Sequence, residues 1–188
     1  MQDAKPYIEK TRQELVAATQ GLAGDQWTFK PAPDRWSIAE VLEHVVTTQD
    51  LVLGTVRERL AAAPPPPADY PTAEIDALIV NAFPDRSARF KGPEVLQPTG
   101  RVAPEEALRR FDANCTRLAE FLETTQDLRQ HAVESLPLKA ISNGKYVFMD
   151  GYQWGVTLAA HTARHTAQVL EVRADGHFPA HVGQASVA

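Results

Sequence analysis

The sequence predicts an all-α protein, a four-helix bundle, on three observations. Four long segments repeat apolar residues at three-four spacing, two of them open on a helix-capping pattern, and strand signals are few. Each element follows from its own residues.

From about Asp3 to Leu22, Ile8, Leu15, Ala18 and Leu22 recur at helical intervals with Glu9, Lys10, Arg12 and Glu14 between them, which predicts a first amphipathic helix. The stretch Trp27 to Arg35 holds two prolines and an Asp that interrupt helix. A second helix is expected to begin at Ser37, because Ser37 and Glu40 form an S-x-x-E capping box and Trp36 and Val41 stand where a hydrophobic staple would close over it. Its stripe is Ile38, Val41, Leu42, Val45, Val52, Val56 and Leu60, and it must end before the four prolines Pro64 to Pro67.

Residues 72 to 83 suit a short helix, and the next twenty, with Pro84, Gly92, Pro93, Pro98 and Gly100, predict an extended crossover. The bundle thus carries a long Pro-rich crossover between its second and third long helices. Pro104 with Glu105 and Glu106 opens the third, which continues through Leu108, Phe111, Cys115, Leu118 and Leu122. After a break from Asp127 to Lys145, Asp150 and Gln153 form a second cap, with Met149 and Trp154 as its staple, and the fourth helix runs to Arg173 before Gly176. Its stripe reads Trp154, Leu158, His161, His165, Val169 and Val172, so two histidines stand where leucine is expected.

The 188 residues, 44% hydrophobic and 23% charged, are read as one domain over residues 1–188. A net charge of −5 and no cluster of Lys and Arg argue against nucleic acid as a partner. No apolar run approaches the ~20 residues that span a bilayer, and the polar N-terminus lacks a signal peptide's apolar stretch, so no membrane partner and a cytoplasmic location are expected. The lone Cys115 forms no internal disulfide and reads as a buried small hydrophobe.

Two histidines four apart on a helix share a face, so His161 and His165 can reach one metal. His177 and His181 share that spacing, but Pro179 between them prevents a regular helix, and they are given no ligand role. A buried histidine needs a partner, which hydrogen bonds to Gln168 or Thr157 would supply as well as a metal would. His44, three residues after Val41 and beside Val45, borders the same buried region from the second helix and is the candidate third ligand. Arg164 is a candidate for an anionic group or a solvated arginine, and Gln168 for a residue that orients an imidazole or for a polar edge. Tyr152 and Trp154 are read as core or as pocket lining, and Asp150 as a helix cap.

The run WSIAEVLEHV, with Trp36, Ser37, Glu40, Leu42 and His44, and the downstream HTARHTAQ resemble the DinB and YfiT-like superfamily. That resemblance implies an up-down-down-up bundle in which His44, His161 and His165 bind one divalent metal, commonly zinc or nickel. It also implies a homodimer and, in characterised relatives, transferases and isomerases that use a low-molecular-weight thiol such as bacillithiol or mycothiol. Three neutral imidazoles leave an open position on the metal, as in catalytic sites. The expected function is therefore metal-dependent activation of a thiol toward a small-molecule electrophile. Hydrolysis by an activated water and a non-catalytic, metal-stabilised binding protein linked to stress are the alternatives.

Overall fold

A computed structural model describes residues 4–87 and 92–180. Four long helices, α1 (Ala4–Thr19), α2 (Ile38–Leu60), α4 (Pro104–Thr124) and α6 (Gly151–Arg173), form the bundle. Two short helices, α3 (Thr72–Ala82) and α5 (Leu136–Ile141), and two short strands, β1 (Ala132–Glu134) and β2 (Phe148–Asp150), complete the regular structure described. One apolar core runs between the long helices, with Leu15, Leu42, Phe111, Phe121 and Val169 among its fully buried members.

Side-chain pairs fix the helix directions. Lys5 meets Glu123 and Arg12 meets Asp112, so α1 and α4 are antiparallel. Asp50 pairs with Arg110 while Arg57, further along α2, reaches the carbonyl of Arg117, so α2 and α4 are parallel. His44 faces His161, Gln49 faces Thr162, and Leu60 abuts Gly151, so α2 and α6 are antiparallel. The bundle is therefore up-down-down-up, in the direction of α1, α2, α4 and α6, and its second and last long helices are neighbours. That adjacency assembles the site.

The expected helix starts are present. Ser37 Oγ accepts from Glu40 N at 3.3 Å and Glu40 Oε2 accepts from Ser37 N at 2.8 Å, closing the capping box of α2. At α6, Asp150 Oδ1 accepts from Gln153 N at 2.7 Å and Gln153 Oε1 accepts from Asp150 N at 3.0 Å. Pro104 stands at the first position of α4, where its missing N–H costs nothing. The first helix stops at Thr19, short of the expected Leu22, and a turn of 3-10 helix at Gly24–Gln26 follows. Asp3, the expected start of that helix, lies outside the described residues.

Two features differ from expectation. The break from Asp127 to Lys145 holds β1 and α5, and β1 pairs antiparallel with β2, Val133 opposite Met149. Three-residue strands are too short to show alternation in a sequence. Secondly, α6 is buried on nearly every side from Gly151 to Thr166, because α1, α2 and α4 surround it and α3 packs on it. Single-stripe reasoning assumes a helix with one wet face, which this one lacks.

At the start of α6, a buried polar network ties α3 to the strands. Arg129 donates to Asp76 at 3.0 and 2.9 Å and to Asp150 Oδ2 at 2.9 Å, and it lies 4.1 Å above the Tyr152 ring. Asp150 is thus a cap and an ion-pair partner at once. Gln153 reaches Asp76 at 2.9 Å and accepts from the Tyr70 hydroxyl. Among the described residues no helix is long and apolar enough to cross a membrane.

Candidate metal centre

Three imidazoles converge between α2 and α6. His44 Nε2 lies 3.2 Å from His161 Nε2, which lies 3.1 Å from His165 Nε2. His44 and His165 are each 6% exposed, and His161 is half-buried with its Nδ1 shielded from solvent. Among the described residues this is the one group of three His, Cys, Asp or Glu side chains that could hold a metal ion, and no carboxylate or thiol joins it. The i, i+4 pair comes from helical geometry, and His44 comes from the antiparallel neighbour at the same level.

Hydrogen positions follow from the partners. His44 Nδ1 is 2.7 Å from the carbonyl oxygen of Leu96, which can only accept, so Nδ1 carries the hydrogen and Nε2 is bare. His165 Nδ1 is 2.9 Å from Gln168 Oε1, and the same oxygen accepts from Arg86 Nη1 at 3.1 Å. That second donor fixes the amide's orientation, so His165 also presents a bare Nε2.

A neutral His161 has a single ring hydrogen. Placed on Nε2, it satisfies one of the two bare nitrogens and leaves the other facing the cluster unpaired. Placed on Nδ1, it makes three lone pairs converge, and Nδ1 has no hydrogen-bond partner among the described residues. A second proton is disfavoured. Burial pushes the His161 and His165 pKa well below the usual histidine value, with the neighbouring imidazoles adding to the effect; burial also lowers His44 against the opposing pull of the Leu96 carbonyl.

One divalent cation would resolve that conflict by accepting all three lone pairs. A tetrahedral ion bound at 2.0–2.1 Å needs donor nitrogens about 3.3 Å apart, close to the 3.2 and 3.1 Å that separate His161 Nε2 from those of His44 and His165. The residues present therefore fit a metal.

Aromatic rings flank the cluster. Trp36 stands 4.9 Å from the His44 ring and 6.3 Å from the His165 ring, centroid to centroid, and Phe83 stands 6.3 Å from His161. The sequence marked Trp36 as a staple residue and gave Phe83 no role; side-chain periodicity does not show which aromatic caps a site formed by another helix.

The remaining candidates are placed as follows. Gln168 orients His165 as described. Arg164 is 8% exposed and donates to the backbone carbonyls of Phe83 and Asp85, tying α6 to the end of α3. The Thr157 hydroxyl donates to Met149 Sδ at 3.4 Å rather than to a histidine. Tyr152 and Trp154 lie toward the start of α6, Tyr152 under Arg129 and Trp154 packed against the core. Cys115 is buried, and burial pushes its thiol up to about 12, so it is held protonated. His177 is exposed beside Asp175, and His181 lies outside the described residues.

The comparisons agree with this architecture. The DinB superfamily is matched over residues 7–169, and the chain belongs to that superfamily, which is metal-binding. It is 22% identical over 167 residues to a Bacillus subtilis (strain 168) protein described as uncharacterized protein YuaE, covering 88% of this chain and 94% of that one. No solved structure matches it significantly.

Proposed function

We propose that this chain is a metal-dependent enzyme that activates a low-molecular-weight thiol for transfer to, or isomerisation of, a small electrophile, with His44, His161 and His165 as the metal ligands. The carrying observation is the convergence of three Nε2 atoms with too few hydrogens to satisfy one another. A bound divalent ion would supply a fixed positive charge that lowers the pKa of a coordinating thiol.

The chain's own residues supply the rest. Three neutral imidazoles add no negative charge, which leaves an incoming anion such as a thiolate as the natural counter-charge. Leu96 and Gln168 hold the His44 and His165 rings with their Nε2 atoms inward, and Trp36 and Phe83 wall the cluster. With a halide electrophile the sulfur–carbon bond forms as the carbon–halogen bond breaks, halide leaves and the thiol's proton passes to solvent; with an unsaturated electrophile the proton ends on the adduct. Among the described residues no carboxylate joins the cluster, which favours this reading over hydrolysis, where the attacking water needs a proton acceptor.

The test is elemental analysis of purified protein beside a His161→Ala, His165→Ala variant, followed by turnover assays of the metal-loaded chain. About one metal per chain, lost in the variant, with conversion of an aromatic halide only when bacillithiol, mycothiol or glutathione is present, is the expected result. Thiol-independent ester cleavage would establish hydrolysis instead. Metal with no turnover and loss of folding on chelation would leave a binding protein. Absence of metal from folded protein after zinc or nickel is supplied would end the metal reading.

A further inference from the structure

Consecutive residues of α2 grip one stretch of the crossover. His44 Nδ1 donates to the Leu96 carbonyl at 2.7 Å. Glu43, 5% exposed, accepts from Thr99 N at 3.1 Å, Thr99 Oγ1 at 2.7 Å and Gly100 N at 2.8 Å. Gly100 sits at φ +73°, a left-handed conformation that helps successive N–H groups turn toward one carboxylate. Within the stretch, a 3-10 turn at Glu94–Leu96 and a bond from Gln97 Nε2 to the Gly92 carbonyl keep Leu96 in place.

A carboxylate withdrawn from water and given three donors from a single turn is an anchor, and nothing in the proposed chemistry uses it. Its effect lands on the neighbouring residue. The carbonyl that sets the His44 tautomer belongs to the stretch that Glu43 anchors at Thr99 and Gly100, three and four residues beyond Leu96. If the stretch lifts, His44 Nδ1 loses its acceptor, and the ring is free to rotate or to move its hydrogen to Nε2.

We infer that Glu43 is a positioning residue for the metal centre: by docking residues 96–100 it holds His44 Nε2 toward the metal, so that docking of this strap and metal binding reinforce each other. The inference rests on the three-histidine reading. Reciprocity is then obligatory, since whatever favours binding by ordering the strap is itself favoured by binding. The amides of Thr99 and Gly100 exchange more slowly with metal bound, and weakening the anchor weakens the metal.

The experiment combines zinc affinity, by chelator competition, with hydrogen exchange at Thr99 and Gly100, in the wild-type chain, Glu43→Ala, Glu43→Gln and Gly100→Ala. Zinc is expected to slow exchange at both amides in the wild type. Glu43→Ala should lower zinc affinity roughly 10-fold or more, as removal of an outer partner of a ligand does, and abolish the slowing. Glu43→Gln, which keeps one acceptor oxygen, should fall between. Gly100→Ala disturbs the strap without touching α2, because its Cβ would meet no atom within 4 Å and only the backbone is strained, and it should shift affinity the same way. It decides the matter should Glu43→Ala fail to fold. Zinc bound by the wild type with unchanged exchange, or folded variants that bind zinc within twofold of wild type, would overturn the coupling and leave the metal centre standing. Failure of the wild type to bind zinc or nickel would remove both.

Discussion

His165 Nδ1 and Gln168 Oε1 lie 2.9 Å apart, one helical turn from each other, and Arg86 Nη1 donates to the same oxygen at 3.1 Å. Arg86 is in turn paired with Glu171 through Nε at 2.7 Å and Nη2 at 2.9 Å. The His165 imidazole is thus oriented by an amide, the amide by a guanidinium, and the guanidinium by a carboxylate.

Gln168→Leu should lower zinc affinity by roughly 10- to 100-fold, because the His165 Nδ1 hydrogen loses its acceptor and the ring its orientation. Gln168→Glu, which keeps an acceptor and still faces Arg86, should stay within a few-fold of wild type. Competition against a chelator of known strength measures both. A leucine variant that binds zinc as tightly as the wild type would show that the amide does not orient the ligand.

Arg129→Met should destabilise the fold by about 3 kcal/mol at pH 7, because it strands the Asp150 carboxylate, 1% exposed, without its ion-pair partner. Burial raises the Asp150 pKa, against the opposing pull of the Gln153 N–H and Arg129. A carboxyl whose folded pKa lies above its unfolded value stabilises the fold most at low pH, and that contribution is lost as pH rises through the folded pKa. Removing Arg129 raises it further, so the penalty should shrink as pH falls toward the carboxyl range. Urea unfolding at pH 7 and pH 4.5 tests this, and a penalty independent of pH would contradict it.

Two glycine replacements should have opposite signs. At Gly151 a Cβ would lie 2.5 Å from Leu60 Cδ2, 2.8 Å from Leu128 Cδ2 and 3.1 Å from the Leu128 carbonyl oxygen, so Gly151→Ala should cost about 1–3 kcal/mol through overpacking. At Gly54, inside α2, a Cβ meets nothing within 4 Å, so Gly54→Ala should add up to ~1 kcal/mol through helix propensity. Thermal unfolding of both variants decides, and a shared sign would show that close approach at the start of α6 is not what selects Gly151.

What was legible in the sequence is what local chemistry writes there. The Ser37–Glu40 and Asp150–Gln153 caps each lie within four residues, and the structure closes both as expected. The His161–His165 pair needed only a helical period, and His44 needed a stripe together with a family resemblance. The partners that make the cluster more than three histidines were not legible. The Leu96 acceptor is a backbone carbonyl with no side-chain signature, and Glu43 looks like any charged residue on a helix until Thr99 and Gly100 fold back onto it. Strands β1 and β2 escaped notice because three residues are too few for a period.

The up-down-down-up path has a consequence for the timing of assembly. The cluster joins residues 117 apart in sequence, from the second bundle helix and the last. During synthesis, where chains order from the N-terminus, α1, α2 and α4 leave the ribosome with His44 alone. A centre of three imidazoles exists only once α6 has been made and has slotted between its neighbours. A metal held by all three imidazoles would therefore be captured only by chains that have completed the bundle, and its occupancy would report successful folding as well as metal supply.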